Sequence, residues 1–349
     1  DLPDKESATM FFQDCKLAHQ AQITGISHSV KEILPPDLLD LTQLQKEANI
    51  RYGFTASEVY DIAQSLYEKK LISYPRTSSR YLTEDVLDSL SPIMARLLSW
   101  ELFPAAKGTG GIDISSLSRH VINAEKANVH HAIIITGIRP GNMSEKEMQV
   151  YRLVAGRMLE TFMAPCRIET TNVEAVCAAQ HFKAEQTRII EAGWHDVFMR
   201  SDMVPKSGYS VNELPEVEKS DTLNVCGCNM VHKKQLPVNP FTDAELVEYM
   251  EQNGLGTVSS RTNIIRTLVN RKYIRYSGKY IVPTPKGMFT YETIRGKKIA
   301  DTSLTADWEK QLAGLESGMI TGQDFLNRIR TLAKEMTDDI FNTYSTKEE

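Results

Sequence analysis

The chain has 349 residues, of which 41% are hydrophobic and 24% are charged, and this length allows two or three domains with cores of their own. No apolar run approaches the roughly 20 residues of a membrane-spanning helix, and no signal-peptide pattern opens the sequence, so we expect a protein without membrane contacts. Five cysteines, an odd number without a regular spacing, favour a reducing cytoplasm over a disulfide-rich secreted domain.

The net charge of −5 is spread unevenly along the chain. Between residues 253 and 300 there are ten Lys or Arg residues and a single acid, Glu292, so this window carries +9 and the rest of the chain −14. A local cationic face on an acidic protein can hold phosphates while the remainder keeps the protein soluble. A basic face that is merely solvated explains the same charges equally well.

The first half of the chain has mostly helical periodicity, which continues to about Pro165. The patterns in chain order are a helix at 4–20, a strand at 21–30, a boundary at Pro35-Pro36, and helices at 85–103 and 144–162 on either side of a glycine-rich turn at 108–111.

After residue 165 the pattern changes to strand-like alternation and then returns to helices. The segments are a β-rich region at 166–237 with a loop near 205–215, helices at 242–252 and 259–270, a hairpin at 273–283, and long helices after Leu304. This order predicts a multidomain α+β protein in which a helical domain is inserted into a β-rich one. The sequence shows no internal repeat.

The most informative stretch is Leu71-Ile-Ser-Tyr-Pro-Arg-Thr-Ser-Ser-Arg80, which we call the tyrosine motif. Thr55-Ala-Ser-Glu58 is a capping box, and it predicts a helix just before the motif. Pro75 prevents further helix, so Tyr74 lies where the chain leaves regular structure. A phenol is a weak nucleophile because its ordinary pKa is about 10, and a guanidinium such as that of Arg76 can hold a phosphodiester and stabilise the developing charge. On the tripeptide alone, a packing tyrosine is the commoner explanation.

Together with three other segments, this stretch resembles the type IA DNA topoisomerases, and topoisomerase III more than bacterial topoisomerase I. The four segments are the lead-in at 41–49, the tyrosine block at 64–68 and 72–77, the histidine motif His130-His-Ala-Ile-Ile-Ile-Thr136, and the C-terminal block at 240–242, 254–265 and 271–274. They follow the order of the family and cover nearly the whole chain, which makes the resemblance specific.

The resemblance implies a helical tyrosine domain inserted in a β-rich arch, followed by a helical C-terminal DNA-binding domain with winged-helix-like elements. The corresponding limits are a first crossing of the arch at 1–35, the tyrosine domain at 36–165, the return crossing at 166–237, and the DNA-binding domain at 238–349. In the family the two crossings form a hinge, so the tip of the arch could lift and open a gate.

The resemblance also implies the reaction and its catalytic residues. Tyr74 would cut one DNA strand through a 5′-phosphotyrosine link, another strand would pass, and resealing would need no ATP because the bond energy is kept. Arg76 would bind the scissile phosphate, and His130 would position phosphate rather than act as an obligatory base. The expected partner is single-stranded DNA, bound by a monomer that uses neither a membrane nor ATP, and no G-x-x-x-x-G-K-[ST] loop is present.

Five other residues are candidates for DNA contacts. Gln64 and Lys126 lie near the tyrosine and histidine motifs, although Gln64 could equally be a helix-surface residue. Ser259 and Ser260 begin a predicted helix whose free N–H groups could meet a phosphate, and Arg261 adds charge. Ordinary helix capping by Ser259 is compatible with this role.

Two other functions compete with the enzyme. A non-catalytic, winged-helix-like nucleic-acid-binding module fits the helices and hairpin of the C-terminal block, and in it Tyr74 would only stack on bases. A nucleotide phosphotransferase is disfavoured because phosphate-cradling loops and metal-binding acids are absent. Zinc binding by Cys226, Cys228 and His232 is also disfavoured, because a structural zinc site needs four ligands.

The chain departs from the family in two respects. Ser78 stands where the family commonly has an acid, so the role of that acid cannot be carried over. No D-x-D cluster is present, and the N-terminal metal-binding (Toprim) domain of the family is missing, so we interpret the chain as a fragment without a cofactor of its own. Magnesium is expected in the missing N-terminal domain. We expect the fragment to bind single-stranded DNA weakly and to be inactive in relaxation by itself.

Overall fold

A computed structural model describes residues 4–100, 102–103, 118–127, 130–198, 214–231 and 239–345. Within them the chain divides into two compact units. The sheet unit comprises residues 1–37, 97–120 and 156–238, and the helical unit comprises residues 38–96, 121–155 and 239–349. The α+β class is confirmed, whereas the inserted-domain arrangement and the domain limits given above stay predictions.

The sheet unit is built on a four-stranded antiparallel sheet with the spatial order β3-β2-β1-β4. Its strands are β1 (Gln20–Ile33), β2 (Cys166–Cys177), β3 (Gln180–Glu191) and β4 (Thr222–Asn224). Ala178 and Ala179 join β2 to β3 with φ of 49° and 63°, the left-handed backbone that a two-residue hairpin loop requires. The predicted strand at 21–30 is confirmed and extends three residues further.

A helix and a 3₁₀ turn also belong to the sheet unit. Helix α1 (Lys5–Leu17) is capped by Asp4, whose carboxylate accepts a hydrogen bond from Ser7 N at 2.8 Å. The 3₁₀ turn Gly193–Val197 follows β3 and buries Trp194, whose indole N–H donates to the Ile33 carbonyl at 2.9 Å. A buried indole needs such a partner, so this bond fixes the turn on the end of β1.

The helical unit contains most of the described helices and a two-stranded hairpin. The helices are α2 (Leu41–Tyr52), α3 (Ala56–Glu68), α4 (Glu84–Ser99), α5 (Ala124–Ala127), α6 (Glu145–Thr161), α7 (Asp243–Gln252), α8 (Arg261–Asn270), α9 (Pro285–Ile294), α10 (Thr302–Glu316) and α11 (Gly322–Ser345). The hairpin joins β5 (Ile274–Ser277) to β6 (Tyr280–Pro283). The final turns of α4 and α6 belong to the sheet unit.

The core of the helical unit joins α3 to the C-terminal block. Helix α3 buries four apolar residues at spacings of three and four, namely Ala56, Val59, Ala63 and Leu66. Burial of one such Val or Leu side chain stabilises a fold by roughly 1.5–3 kcal/mol. One cluster contains the first residue of α3 together with residues of α7, α8 and β6: Ala56, Val247, Met250, Ile265 and Ile281. The platform under the tyrosine motif is therefore anchored on the C-terminal helices.

Within the described ranges, no helix combines the length and the apolar character needed to cross a bilayer. The helices predicted at 4–20, 85–103, 144–162, 242–252 and 259–270 are confirmed to within a few residues at each end. The glycine-rich turn at 108–111 and most of the loop near 205–215 lie outside the described residues.

Candidate active site

Helix α3 is the platform of the tyrosine motif. Thr55 Oγ1 accepts a hydrogen bond from Glu58 N at 3.2 Å and Glu58 Oε2 accepts one from Thr55 N at 2.9 Å, so the predicted capping box is confirmed. With one face of the helix buried, Tyr60, Gln64 and Tyr67 lie on another side, where they repeat at helical spacing. These three side chains face the chain that follows the helix, as their contacts with Arg76 and Tyr74 show.

The end of α3 turns the chain sharply. Lys70 N donates to the Tyr67 carbonyl at 2.8 Å and Leu71 N donates to the Leu66 carbonyl at 2.9 Å, the hydrogen-bond pair of a Schellman motif. Lys70 has φ of 60°, in the left-handed region where glycine is usual. This motif ends the helix just before Tyr74 and sends the chain back along it.

Hydrogen bonds join the tyrosine motif to the histidine motif, although the two are far apart in sequence. Ser73 N donates to the Ile134 carbonyl at 2.8 Å. The Ser73 hydroxyl donates to the Ala132 carbonyl at 3.1 Å and accepts from Ile134 N at 2.9 Å. The Thr77 hydroxyl donates to the His130 carbonyl at 2.9 Å. These bonds on both sides of Tyr74 fix the register of the two motifs.

The ring of Tyr74 is held between two other rings. Its centre lies 4.4 Å from that of His130, with the planes inclined by 46°. Tyr67 packs edge-on at 5.4 Å. Tyr74 is half-buried and His130 is exposed, and among the described residues the Tyr74 hydroxyl has no hydrogen-bond partner. The aromatic contacts thus fix the ring, and none of the described residues bonds to the phenol oxygen.

Arg76 is held by side chains of α3. Its Nη2 donates to Gln64 Oε1 at 3.1 Å, and Gln64 Nε2 donates in turn to Glu68 Oε1 at 2.8 Å. The guanidinium carbon lies 5.0 Å from the centre of the Tyr60 ring, within cation–π range. Arg76 Nε is buried and has no hydrogen-bond partner among the described residues. The guanidinium is oriented while part of its donor capacity stays unused.

A carboxylate on α6 fixes the last turn of α3. Glu147 Oε1 accepts from Lys69 Nζ at 2.6 Å and from the Ser65 hydroxyl at 2.7 Å. The hydrogen bond from Lys69, followed by those from Ser144 and Ser65, lowers the pKa of Glu147 to about 2. This ionised carboxylate holds α3 at the point where the chain turns toward Tyr74.

The far end of the tyrosine motif is tied to α2. Arg80 Nε donates to Asp40 Oδ2 at 2.6 Å, and Asp40 Oδ1 accepts from Gln43 N at 2.7 Å as the N-cap of α2. Asp40 is almost completely buried, and this burial raises its pKa despite the neighbouring guanidinium. The motif is therefore anchored at both ends.

Lys126 and His131 have other contacts in this structure. Lys126 is exposed, its Nζ lies 5.1 Å from the centre of the Tyr81 ring, and its carbonyl accepts from the Ser79 hydroxyl at 2.8 Å. His131 Nδ1 is hydrogen-bonded to the Ala132 carbonyl at 2.7 Å. The phosphate contact expected of Lys126 stays a prediction.

The three candidates of the C-terminal block differ in exposure. Ser259 is exposed, and the Ser260 hydroxyl accepts from Thr257 N at 2.8 Å. Arg261 is buried, and its Nη1 donates to Glu251 Oε1 at 3.1 Å. A phosphate could therefore reach Ser259 directly, whereas Arg261 would first have to leave its ion pair. Their DNA contacts stay predictions.

No group of three or more His, Cys, Asp or Glu side chains is placed to hold a metal ion in the described part of the chain. Cys226 is exposed and Cys228 is half-buried, and both are free thiols. His232 lies outside the described residues.

Sequence reasoning missed three residues that shape the site. Tyr60 and Tyr67 contact Arg76 and Tyr74, and the Ser73 hydroxyl joins the two motifs. The helical spacing from Gln64 was a signal for the two tyrosines, because residues four before and three after it share its side of the helix. No signal pointed to Ser73, since its partners are about sixty residues away.

The comparison with known proteins agrees with this architecture. A family model for DNA topoisomerase matches residues 1–327. DNA topoisomerase 3 of Bacillus licheniformis is 31% identical over 344 residues, which cover 92% of this chain and 47% of that protein. DNA topoisomerase 3 of Bacillus subtilis is 30% identical over 355 residues, covering 94% of this chain and 48% of that protein. The chain thus spans about half the length of the curated relatives it matches.

The fold also matches a solved structure, that of full-length topoisomerase I from Thermotoga maritima. The TM-score is 0.74 at 23% sequence identity, and the match covers 96% of this chain and 56% of that chain. The long family match, the topoisomerase 3 relatives and the four ordered motifs agree with one another. This chain belongs to the type IA DNA topoisomerase family.

Proposed function

We propose that this chain is the tyrosine-bearing part of a topoisomerase III-like enzyme, in which Tyr74 exchanges a phosphodiester bond with a single DNA strand. The observation that carries the proposal is the phenol oxygen of Tyr74, which bonds to none of the described residues and belongs to a ring fixed by His130 and Tyr67. A nucleophile needs an accessible oxygen in a fixed orientation, and the ring contacts of Tyr74, with no described hydrogen-bond partner for its hydroxyl, support this role.

The proposed step is balanced within the two molecules. The Tyr74 hydroxyl gives up its proton and its oxygen forms a bond to phosphorus, while the bond from phosphorus to the 3′ oxygen breaks. The departing strand leaves as a 3′ hydroxyl, which takes up a proton, so no net proton is released. The 5′-phosphotyrosine ester has an energy similar to that of the bond it replaces. Attack by the 3′ hydroxyl restores the strand, and the cycle needs no ATP.

Arg76 and His130 stabilise the phosphate in this proposal. The Arg76 guanidinium is held by Gln64 and Tyr60, so little reorganisation is needed when a phosphate arrives. The imidazole of His130 lies beside the phenol ring and can donate a hydrogen bond to a phosphate oxygen.

The relatives are about twice as long as the match, so the complete reaction requires residues outside this chain. The magnesium implied by the family has no group of suitable ligands among the described residues. The chain alone is proposed to bind single-stranded DNA without relaxing supercoils. The proposed setting is a monomer in the cytoplasm.

The experiment joins this chain to the part of the B. licheniformis relative that lies outside the match. The fusion is incubated with 3′-end-labelled single-stranded DNA, because the downstream piece that carries the label is the one bound through its 5′ phosphate. A labelled protein band on a denaturing gel is expected, and Tyr74→Phe removes it. Tyr52→Phe, which changes a half-buried tyrosine of α2, leaves the band intact. A band that persists in Tyr74→Phe contradicts the proposal.

A second function is supported by the C-terminal block alone. Helices α7 and α8 and the hairpin β5–β6 form a helix, turn, helix and hairpin, the element order of a winged-helix-like module. As a non-catalytic module, the chain would bind nucleic acid and Tyr74 would only stack on bases. Salt-sensitive binding together with the absence of any covalent band in the fusion would favour this module.

A further inference from the structure

We propose that Cys15 and Cys177 form a redox modification site, in which a peroxide converts the two buried thiols into a reversible disulfide and Cys228 is the sulfur that the oxidant reaches first. The site lies in the sheet unit, outside the tyrosine and histidine motifs, and does not depend on the proposed function. All five cysteines are free thiols in this structure, as a reducing cytoplasm would keep them.

The topology of the sheet brings the three thiols to one end, where β1 begins. Cys15 lies in the last turn of α1, and β1 starts soon after it at Gln20. Cys177 ends β2, next to the residue that pairs with Gln22 of β1. Cys228 follows β4, which pairs with the same first residues of β1. Three thiols that are far apart in sequence therefore meet at this end of the sheet.

Cys15 and Cys177 are in contact inside the fold. Their exposed fractions are only 4% and 5%. The Cys15 thiol donates to the Cys177 carbonyl at 4.0 Å, and the side chain of Cys177 is also its hydrogen-bond partner. Two sulfur atoms in such contact can be joined after small rotations of their side chains. A disulfide between them should therefore need little movement of α1 or β2.

The buried position of Cys15 disfavours its thiolate but not a disulfide. Burial, followed by the charges of Cys177 and Cys228, raises the pKa of Cys15 to about 11. The thiol is therefore protonated at neutral pH and reacts slowly with a peroxide. A disulfide carries no charge, and a sulfur of high pKa is expelled slowly from it. We expect a bond that forms slowly and then persists until a reductant arrives.

Cys228 is the thiol of this cluster that an oxidant can reach. It is half-buried, whereas Cys15 and Cys177 are buried, and its charge acts on Cys15. The first oxidation of a thiol requires access of the peroxide to the sulfur. The neighbouring Cys226 is more exposed, and its thiol donates to the Asn224 carbonyl at 3.8 Å. Cys226 is therefore the matched control for Cys228.

The proposed oxidation is balanced in three steps. The Cys228 thiolate bonds to one oxygen of the peroxide while the O–O bond breaks, and the other oxygen takes up the Cys228 proton and leaves as water or an alcohol. The sulfur of Cys15 then attacks the sulfenic acid, whose oxygen leaves as water with the Cys15 proton. The sulfur of Cys177 attacks Cys15, and Cys228 leaves as a thiol with the Cys177 proton. Two thiols have lost two electrons, and the peroxide has gained them.

The disulfide would fix a helix that is otherwise weakly anchored. Cys15 is the one buried residue of α1, whereas Met10 and Leu17 of the same helix are 65% and 76% exposed. A covalent link from Cys15 to the end of β2 would keep the helix on the sheet during local unfolding. Exposure to peroxide would thus make α1 more ordered.

The test treats this chain, reduced beforehand, with hydrogen peroxide and then blocks the remaining thiols with iodoacetamide. The chain is unfolded and digested with trypsin, and linked peptides are identified by mass spectrometry without reductant. Trypsin leaves Cys15 in the peptide 6–16, Cys177 in 168–183, and Cys226 with Cys228 in 220–233. The expected product links 6–16 to 168–183, and dithiothreitol removes the link.

Single substitutions separate the roles of the three sulfurs. Cys15→Ala should abolish the link, whereas Cys228→Ala should slow its formation by about tenfold and leave the final product the same. Two controls should form the link at the normal rate. They are Cys226→Ala, beside the entry thiol, and Cys166→Ala, which changes a buried cysteine at the other end of β2.

The site is refuted if peroxide leaves 6–16 and 168–183 unlinked, or links cysteines only within 220–233 or between molecules. This readout uses the unchanged chain, so a variant that fails to fold does not affect it. A normal rate in Cys228→Ala would overturn the role of Cys228 as the entry point. Tyr74→Phe should leave the link unchanged, and Cys15→Ala should leave the covalent band of the fusion protein in place, so failure of the redox site and failure of the proposed function are distinguishable.

Discussion

Helices α3 and α8 end in the same kind of turn, but the tyrosine hydroxyls that follow the two turns have different partners. We call the segment from each turn to its tyrosine the exit of the helix. Both helices close with a Schellman motif in which a lysine takes the left-handed position, Lys70 with φ of 60° and Lys272 with φ of 61°. A short extended segment follows each lysine, and a tyrosine stands four residues after it, Tyr74 in one case and Tyr276 in the other. The two tyrosines are therefore structural counterparts.

The surroundings of the two hydroxyls differ completely. Tyr276 donates its hydroxyl hydrogen to Asp243 Oδ2 at 2.8 Å, and Asp243 is buried against the start of α3. Burial and the neighbouring carboxylate raise the pKa of Tyr276, so its phenolate is disfavoured. Burial likewise raises the pKa of Asp243. Tyr74 has ring contacts only, and its oxygen is free among the described residues.

The comparison teaches that local backbone geometry does not make a tyrosine a nucleophile. The same kind of turn precedes Tyr276, whose hydroxyl bonds to Asp243, and Tyr74, whose hydroxyl bonds to none of the described residues. The residue two positions after the tyrosine is Arg76 in one exit and Gly278 in the other. The two tyrosines differ in the polar groups around their hydroxyls. We therefore expect substitutions at one exit to change the reaction and substitutions at the other to change stability.

The largest expected effect comes from Arg76, which has no counterpart at the α8 exit. In the fusion protein, Arg76→Lys should slow formation of the covalent band by at least about 100-fold, because an ammonium lacks the planar fork that Gln64 and Tyr60 orient. Quench-flow sampling on denaturing gels measures the rate. A rate within threefold of the unchanged protein would show that the guanidinium is not needed.

Glu147 bonds to Lys69 and Ser65 in the last turn of α3, and its contribution to stability should depend on pH. Its pKa is lowered to about 2 from an ordinary 4.5, so its stabilising contribution is present above pH 4.5 and is lost as the pH falls toward 2. Glu147→Gln should lower the free energy of unfolding by about 1–3 kcal/mol at pH 7 and by roughly half of that or less at pH 3. Urea unfolding at both pH values measures this, and an equal loss at the two would contradict the assignment.

At the α8 exit, Tyr276→Phe should destabilise the chain by about 1–2 kcal/mol because it removes a part-buried hydrogen bond to the buried carboxylate of Asp243. Tyr74→Phe should change the unfolding free energy by less than about 0.5 kcal/mol, since its hydroxyl bonds to no described group. Urea denaturation of the two variants makes the comparison. Equal losses would mean that both phenols have structural partners.

The smallest effect should be the same at both exits. Lys70→Gly and Lys272→Gly relieve a left-handed backbone and should each stabilise the chain by about 0.5–1 kcal/mol. Thermal unfolding measures the shift. If only one substitution stabilises, then the two turns are not equivalent and the structural correspondence of the tyrosines fails.

The sequence predicted those features that depend on neighbouring residues. The capping box at Thr55 and the end of α3 before Pro75 follow from local hydrogen bonding and from the missing N–H of proline. The nearness of His130 to Tyr74 came only from the family resemblance, because it depends on the Ser73 hydroxyl and a partner about sixty residues away. Spacing along the chain carries no information on such a contact.

Local sequence patterns also did not predict which charged side chains are buried. Arg261 reads as a surface cation at a helix start, yet it is buried against Glu251, a residue on the preceding helix. The sequence analysis also missed the correspondence of Tyr74 and Tyr276, although residues 69–74 and 271–276 share a lysine, an isoleucine and a tyrosine at the same offsets.

The central claim is tested most directly by trapping the DNA adduct in parallel fusions that carry Tyr74→Phe or Tyr276→Phe. The account predicts no labelled protein band for Tyr74→Phe and a band of normal intensity for Tyr276→Phe at a temperature where both are folded. A band in Tyr74→Phe, or its loss only in Tyr276→Phe, would contradict the account.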